Sequence, residues 1–236
     1  MGTDRLEAYR KDVESIFGGD LVSVTVYGGH AADPPAEKGF VTVLIVVRKL
    51  RREALAAYRA ASPRFERSGI AYPAIFTEEF IADSADVFPI EFLGMKERRK
   101  VLSGRDVLDG LRVTETNLRH QVEFEMKGKL LCLRRMYLAA RGNRELAGLM
   151  RRTAGPIVLA ARGLLLLSGP AAPLAKEDIV DSLETRTGIP LPRLREILAA
   201  KDDRSLAGAA EEIFDGYSGE VERLCSTAAV PPDGKA

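Results

Sequence analysis

Two apolar segments on either side of a glycine pair constrain the fold of this 236-residue chain more than any other feature. The first runs from Leu21 to Tyr27 and leads directly into Gly28 and Gly29, and the second runs from Phe40 to Val47. Both are short, rich in β-branched residues and bounded by glycine, which is typical of buried β-strands. The sequence therefore predicts two strands joined through a glycine turn and a loop.

The remainder of the N-terminal half alternates between helical and strand patterns. Before the first strand, the apolar residues Leu6, Tyr9, Val13 and Phe17 recur at helical spacing. After the second strand we predict a helix over 50–65, a third strand over 70–76, a short helix over 77–83 capped by Thr77, and a fourth strand over 87–93. Pro73 predicts that the third strand lies at an edge of the sheet.

The C-terminal half has helical patterns alone. Predicted helices cover residues 114–140, 143–167, 176–187, 191–200 and 205–224. The sequence thus indicates an α+β protein with a mixed β-sheet head and flanking helices over 1–112, an all-α helical bundle over 113–225, and a disordered tail over 226–236.

Composition narrows the classes of partner and the compartment. The 35 basic and 34 acidic residues nearly balance, so net charge does not draw the chain to nucleic acid or to an anionic membrane. The most apolar window, Gly155–Ser168, contains Arg162 and is shorter than the roughly 20 residues that span a bilayer. Cys132 and Cys225 are interpreted as buried thiols of a reducing compartment. We therefore expect a cytoplasmic protein that binds neither membrane nor nucleic acid.

The strand, Gly-Gly turn, loop and second strand resemble the nucleotide-binding hairpin of the DNA polymerase β-like nucleotidyltransferase superfamily. In that family a strand ends in Gly-Ser or Gly-Gly, and the next begins with Gly-Ser-Asp-x-Asp before a hydrophobic run. The resemblance covers roughly residues 20–105. It implies a nucleotidyltransferase-like head followed by a helical domain, and a reaction that uses Mg²⁺ and a nucleoside triphosphate.

The family's two metal-binding acids fall on Val41 and Val43 in this reading. Residues i and i+2 of a strand share a face, so an Asp-x-Asp pair can point into one site, but valine offers no oxygen to a metal. The resemblance therefore implies that metal binding is lost. Gly28, Gly29 and His30 keep the character of a turn whose backbone N–H groups approach phosphate.

Other carboxylates are candidates for a remaining site. Glu91, on the predicted fourth strand, matches the family's third acid, and Asp86 is the alternative. Asp33 and Glu37 lie in the loop between the first two strands.

Three hypotheses follow. The first is a catalytically degenerate transferase that acts as a nucleotide-binding or protein-interaction module, with a protein partner or a second copy of itself. The second is an active, metal-dependent nucleotidyltransferase with Glu91 as ligand or base, transferring a nucleoside monophosphate to a small molecule, protein or nucleic-acid hydroxyl. In the third, the helical bundle is the functional part and the head is a scaffold.

Overall fold

The computed structural model describes residues 2–31, 39–169 and 172–229. The chain divides into two compact units, Met1–Thr114 and Glu115–Ala236. The first contains a four-stranded sheet with flanking helices, and the second is helical. The predicted α+β fold class is confirmed.

The sheet of the first unit has the strand order β3-β2-β1-β4. Its strands are β1 (Leu21–Tyr27), β2 (Thr42–Val47), β3 (Ala74–Thr77) and β4 (Arg99–Gly104). Strand β1 pairs antiparallel with both β2 and β4, whereas β2 pairs parallel with β3. The position of β3 at the edge agrees with the prediction from Pro73, since proline has no N–H to donate to a further strand.

Two helices, α1 (Gly2–Phe17) and α2 (Arg52–Arg67), cover one face of the sheet. Their aromatic residues pack against the strands, and the hydroxyls of Tyr9 and Tyr58 lie 3.0 Å apart inside this core. The strand residues on this face are Val24, Val26, Val41, Val43, Ile45 and Val47.

The opposite face packs against two shorter helices, α3 (Glu78–Asp83) and α4 (Pro89–Glu97). Leu44 and Val46 of β2 lie here with Ile81 and Phe92. Strand β2 is therefore buried on both faces, which accounts for its continuous apolar sequence. The Thr77 hydroxyl caps α3 as predicted, accepting a hydrogen bond from the Phe80 N–H at 3.1 Å.

The predicted fourth strand over 87–93 is wrong, because these residues belong to α4 and the loop before it. Pro89 occupies the first helical turn, where its missing N–H has no consequence, and Phe92 and Met95 are buried three residues apart on one face. A short apolar run fits a buried helix as well as a strand. The fourth strand, β4, follows α4, and Glu91 lies on the helix with an exposed side chain.

The second unit contains α5 (Glu115–Ala139), α6 (Asn143–Leu166), α7 (Lys176–Thr187), α8 (Pro192–Ala199), α9 (Arg204–Ala207) and α10 (Ala210–Ala229). The single helix predicted over 205–224 is thus two helices, separated at Gly208, a weak helix former. Residues 226–229, predicted as tail, are helical, and 230–236 lie outside the described residues. None of the described helices is long and apolar enough to cross a membrane.

The two cysteines of this unit differ in environment. Cys225 is buried, as expected, but Cys132 is exposed. The prediction for Cys132 is wrong because residue 132 lies beside the buried stripe of α5 and not within it.

A buried carboxylate joins α10 to α8. Glu220 accepts hydrogen bonds from the backbone N–H groups of Arg193 (2.8 Å) and Leu194 (2.9 Å) in the first turn of α8. These N–H groups have no partner within their own helix, so the carboxylate caps it. Burial raises the pKa of Glu220 above the ordinary value, against the opposing effect of the two hydrogen bonds.

We expect Val43→Asp to lower the free energy of unfolding by about 4 kcal/mol or more, because it places an unpaired carboxylate in the core. Thr42→Asp is the matched control, since Thr42 is on the opposite face of β2 and only partly buried; we expect a loss of about 1 kcal/mol from its hydrogen bond. Denaturant unfolding followed by circular dichroism measures both. A Val43→Asp protein as stable as the Thr42→Asp protein would contradict the core position.

We expect the pH to change the stability difference between the wild type and Glu220→Gln. The folded-state pKa of Glu220 is raised, so the folded protein binds more protons than the unfolded one above the ordinary pKa. The stability contributed by this group is present at low pH and is lost as the pH rises through the folded pKa. Denaturant unfolding at several pH values from 4 upward should show a difference in unfolding free energy between the wild type and Glu220→Gln that shrinks as the pH rises. A difference that grows with pH would contradict the raised pKa of Glu220.

Candidate functional site

The glycine turn after β1 is a 3-10 turn over Gly28–Ala31. Gly28 has φ +75°, a conformation that residues with a side chain rarely adopt. Its N–H donates to the carbonyl of Arg98 at 2.9 Å, just before β4. This N–H therefore anchors the turn to the neighbouring strand. Gly29 is buried and His30 is partly buried, and their role as a phosphate turn stays a prediction.

Strand β2 approaches this turn through Thr42. The Thr42 hydroxyl donates to the carbonyl of Tyr27 at 2.7 Å, and a Cβ added to Gly28 would lie 3.4 Å from the same hydroxyl oxygen. Side chains alternate along a strand, so the face of β2 next to the turn is that of Thr42, and Phe40 comes two residues earlier, just before the strand begins. Phe40 is 51% exposed.

Val41 and Val43 lie on the other face of β2. Their exposed fractions are 2% and 1%, and both belong to the core beneath α1 and α2. Their apolar character is explained by packing. A site beside the glycine turn would therefore be lined by Thr42 and by the nearby Phe40, and not by the two valines.

The described residues around the turn do not fit a divalent metal. Phe40 offers no ligand atom, and the Thr42 hydroxyl is engaged with the backbone. Within 2–31, 39–169 and 172–229, no group of three His, Cys, Asp or Glu side chains has a geometry that would hold a metal ion. Mg²⁺ takes carboxylate and other oxygen ligands. Asp33 and Glu37 lie outside the described residues.

The other predicted carboxylates lie away from the strands. Glu91 is in the first turn of α4, and Asp86 lies in the turn between α3 and α4; both side chains are exposed. Neither stands on a strand, where the resemblance placed the third acid.

A charged cluster at the same end of the sheet was not predicted. Arg99 pairs with Tyr27 in the register of β4 with β1, and its Nε donates to both oxygens of Asp106, at 3.0 and 2.8 Å. The Lys96 ammonium donates to the carbonyls of Asp109 (2.9 Å) and Leu111 (2.8 Å). The cluster fastens the loop after β4 to α4.

The cluster contains two carboxylates: Asp109 Oδ1 accepts from Arg99 at 3.2 Å, and the second, Asp106, already has partners within the fold. Besides the contacts with Arg99, its Oδ1 accepts from the N–H of Leu108 at 3.1 Å. The cluster leaves no signal in the sequence because its charges come from α4, β4 and the following loop, and only the fold brings them together.

A search of solved structures relates the fold to an enzyme. The chain matches the crystal structure of spectinomycin adenyltransferase AAD(9) from Enterococcus faecialis with ATP and spectinomycin, with a TM-score of 0.63 and 12% sequence identity. The match covers 94% of this chain and 98% of that one. No family model and no curated protein sequence matches. The chain therefore has a nucleotidyltransferase-like α+β fold with a C-terminal helical region.

Proposed function

We propose that this protein binds a nucleotide at the glycine turn and does not carry out metal-dependent nucleotidyl transfer. The observation that carries the proposal is that Thr42 is the β2 residue beside the turn and that an exposed Phe40 precedes it just outside the strand. Nucleotidyl transfer uses carboxylates that hold metal ions between the attacking and leaving oxygens. A phenyl ring and a hydroxyl engaged with a backbone carbonyl do not supply them.

The nucleotide part of the proposal has separate support. Gly28 is partly exposed and has no side chain, so a ligand can approach its backbone closely, although its N–H is bonded to Arg98 and Gly29 is buried. Thr42 and His30 are partly exposed. The matched adenyltransferase was crystallised with ATP. The ligand proposed here is the triphosphate itself, held by backbone and neutral polar groups.

A second candidate is an active transferase that adenylylates a small molecule. It is favoured by the extent of the structural match, which includes nearly the whole of both chains. Its metal ligands would be Asp33 and Glu37, outside the described residues. It is the weaker candidate because the described residues beside the glycine turn supply no carboxylate.

Calorimetric titration of the full chain with ATP tests the first proposal. We expect binding whose dissociation constant changes by less than about threefold when Mg²⁺ is added, because the strand face beside the turn holds no carboxylate for the metal. Thr42→Val removes the hydroxyl at nearly constant volume and should weaken binding. The absence of ATP binding, or binding that requires Mg²⁺, would contradict the proposal.

Incubation with α-labelled ATP, Mg²⁺ and spectinomycin or related acceptors separates the two candidates. We expect no labelled product from the wild type. Product formed by the wild type and lost in Asp33→Asn/Glu37→Gln would establish the second candidate. Glu91→Gln serves as the matched carboxylate control, since Glu91 lies on α4 and should not affect the result.

A further inference from the structure

Helix α5 carries large apolar side chains on the face turned away from its core. Phe124, Leu131 and Leu138 are 76%, 52% and 83% exposed. They recur every seven residues, about 20° short of two full turns, so they line up along the helix. We call these three residues the outer stripe. The buried stripe of the same helix is separate, and it consists of Leu118, Val122, Met126, Leu130 and Leu133.

The outer stripe is more than scattered surface hydrophobicity. Single exposed leucines are common on soluble proteins, but an aligned apolar patch marks an interaction site. Burying a side chain of this size contributes about 1.5–3 kcal/mol. A shallow groove of about 410 Å³ lies along Phe124 and Leu131, and its remaining lining residues are His120, Glu123, Lys127 and Gly128.

Gly128 adds an independent observation at the centre of the stripe. It lies between Phe124 and Leu131 in the middle of a 25-residue helix, where glycine is less favourable than alanine by about 1 kcal/mol. A Cβ added there would meet no atom of the described residues within 4 Å, so packing against that part of the chain does not require glycine. The missing side chain leaves a notch in the outer surface that allows another backbone to approach closely.

The charges around the stripe are mainly basic. His120, Lys127 and Arg135 lie within about 40° of the stripe around the helix axis. Lys127 pairs with Glu123, whereas His120 and Arg135 have no ion pair with any residue that the structure describes. Arg134, slightly further round, pairs with Glu222 at 2.9 Å. The unneutralised charge next to the apolar residues is therefore positive at neutral pH through Arg135.

A second copy of the chain is a poor occupant for this face. In an antiparallel pairing of two α5 helices centred on Leu131, Lys127 of one copy lies opposite Arg135 of the other, since each is four residues from the centre. In a parallel pairing each cation lies beside its own equivalent. The parallel arrangement brings the two Arg135 side chains together, and the antiparallel one places Arg135 against the Lys127–Glu123 pair of the other copy, so neither gives Arg135 a carboxylate of its own.

We propose that the outer stripe docks an acidic amphipathic helix of a protein partner. Apolar residues of the partner cover Phe124, Leu131 and Leu138, one of its turns approaches at Gly128, and an Asp or Glu side chain of the partner pairs with Arg135. This surface belongs to the second unit and does not depend on whether the first unit binds a nucleotide. Loss of one activity therefore leaves the other measurable.

Fluorescence anisotropy of two synthetic helical peptides with the full-length protein tests the proposal. Both peptides carry leucines at heptad spacing, one with Glu and the other with Lys at the flanking positions. We expect the acidic peptide to bind at least about tenfold more tightly, with an affinity that falls as salt increases. Equal binding of the two peptides, or no binding of the acidic one, would overturn the proposal.

Variants locate the binding to the stripe. Phe124→Ser and Leu131→Ser should each lower the affinity for the acidic peptide by about tenfold or more. Leu159→Ser changes an equally exposed leucine (51%) of α6 and should leave the affinity unchanged. Gly128→Ala should raise the thermal stability of the protein and still lower its affinity for the acidic peptide severalfold. A surface without a partner does not produce this combination. Binding unchanged by Phe124→Ser and Leu131→Ser would refute the assignment.

Two further outcomes identify other occupants. Light scattering after size exclusion should show a monomer, and a dimer that Leu131→Ser dissociates would replace the acidic partner with a second copy. Sedimentation with vesicles of anionic lipid should leave the protein in solution. Sedimentation lost in Phe124→Ser would assign the stripe to a membrane surface and overturn the proposal.

Discussion

The burial of β2 on both faces is the constraint on which the first unit depends. This strand pairs with β1 on one side and β3 on the other, and its side chains enter the core beneath α1 and α2 and the core beneath α3 and α4. A strand in this position is apolar wherever it is buried, here over residues 43–47, and only the partly buried Thr42 at its start is polar. It also aligns β1, so the glycine turn that follows β1 is held at a defined place.

The same burial explains why the sequence alone does not identify which residues of β2 face the glycine turn. Alternation assigns Val41 and Val43 to one face of β2 and Thr42 to the other, but it does not say which face meets the glycine turn. The hydrogen bond from Thr42 to the carbonyl of Tyr27 decides this. The valines fill the core, so the residues of this segment that could contribute to a metal site are Phe40 and Thr42.

The helical unit shows how one helix can serve two surfaces. The inner residues of α5 are buried in the bundle, as the helical periodicity predicted. The outer stripe interrupts an otherwise polar face and has a glycine at its centre. Helical periodicity identifies the buried stripe of α5 but does not distinguish the outer stripe from ordinary surface residues. Exposure, which depends on the assembled bundle, separates them.

The sequence by itself determined the fold class, the two strands beside the glycine turn, the edge position of β3 and most of the helices, because alternation, helical periodicity and proline chemistry act over a few residues. The tertiary structure decided that residues 89–97 form α4, since a short apolar run fits a helix or a strand until its neighbours are known. It also decided which face of β2 meets Gly28 and that Arg99 joins Asp106. These features depend on contacts between distant segments, which local patterns do not encode.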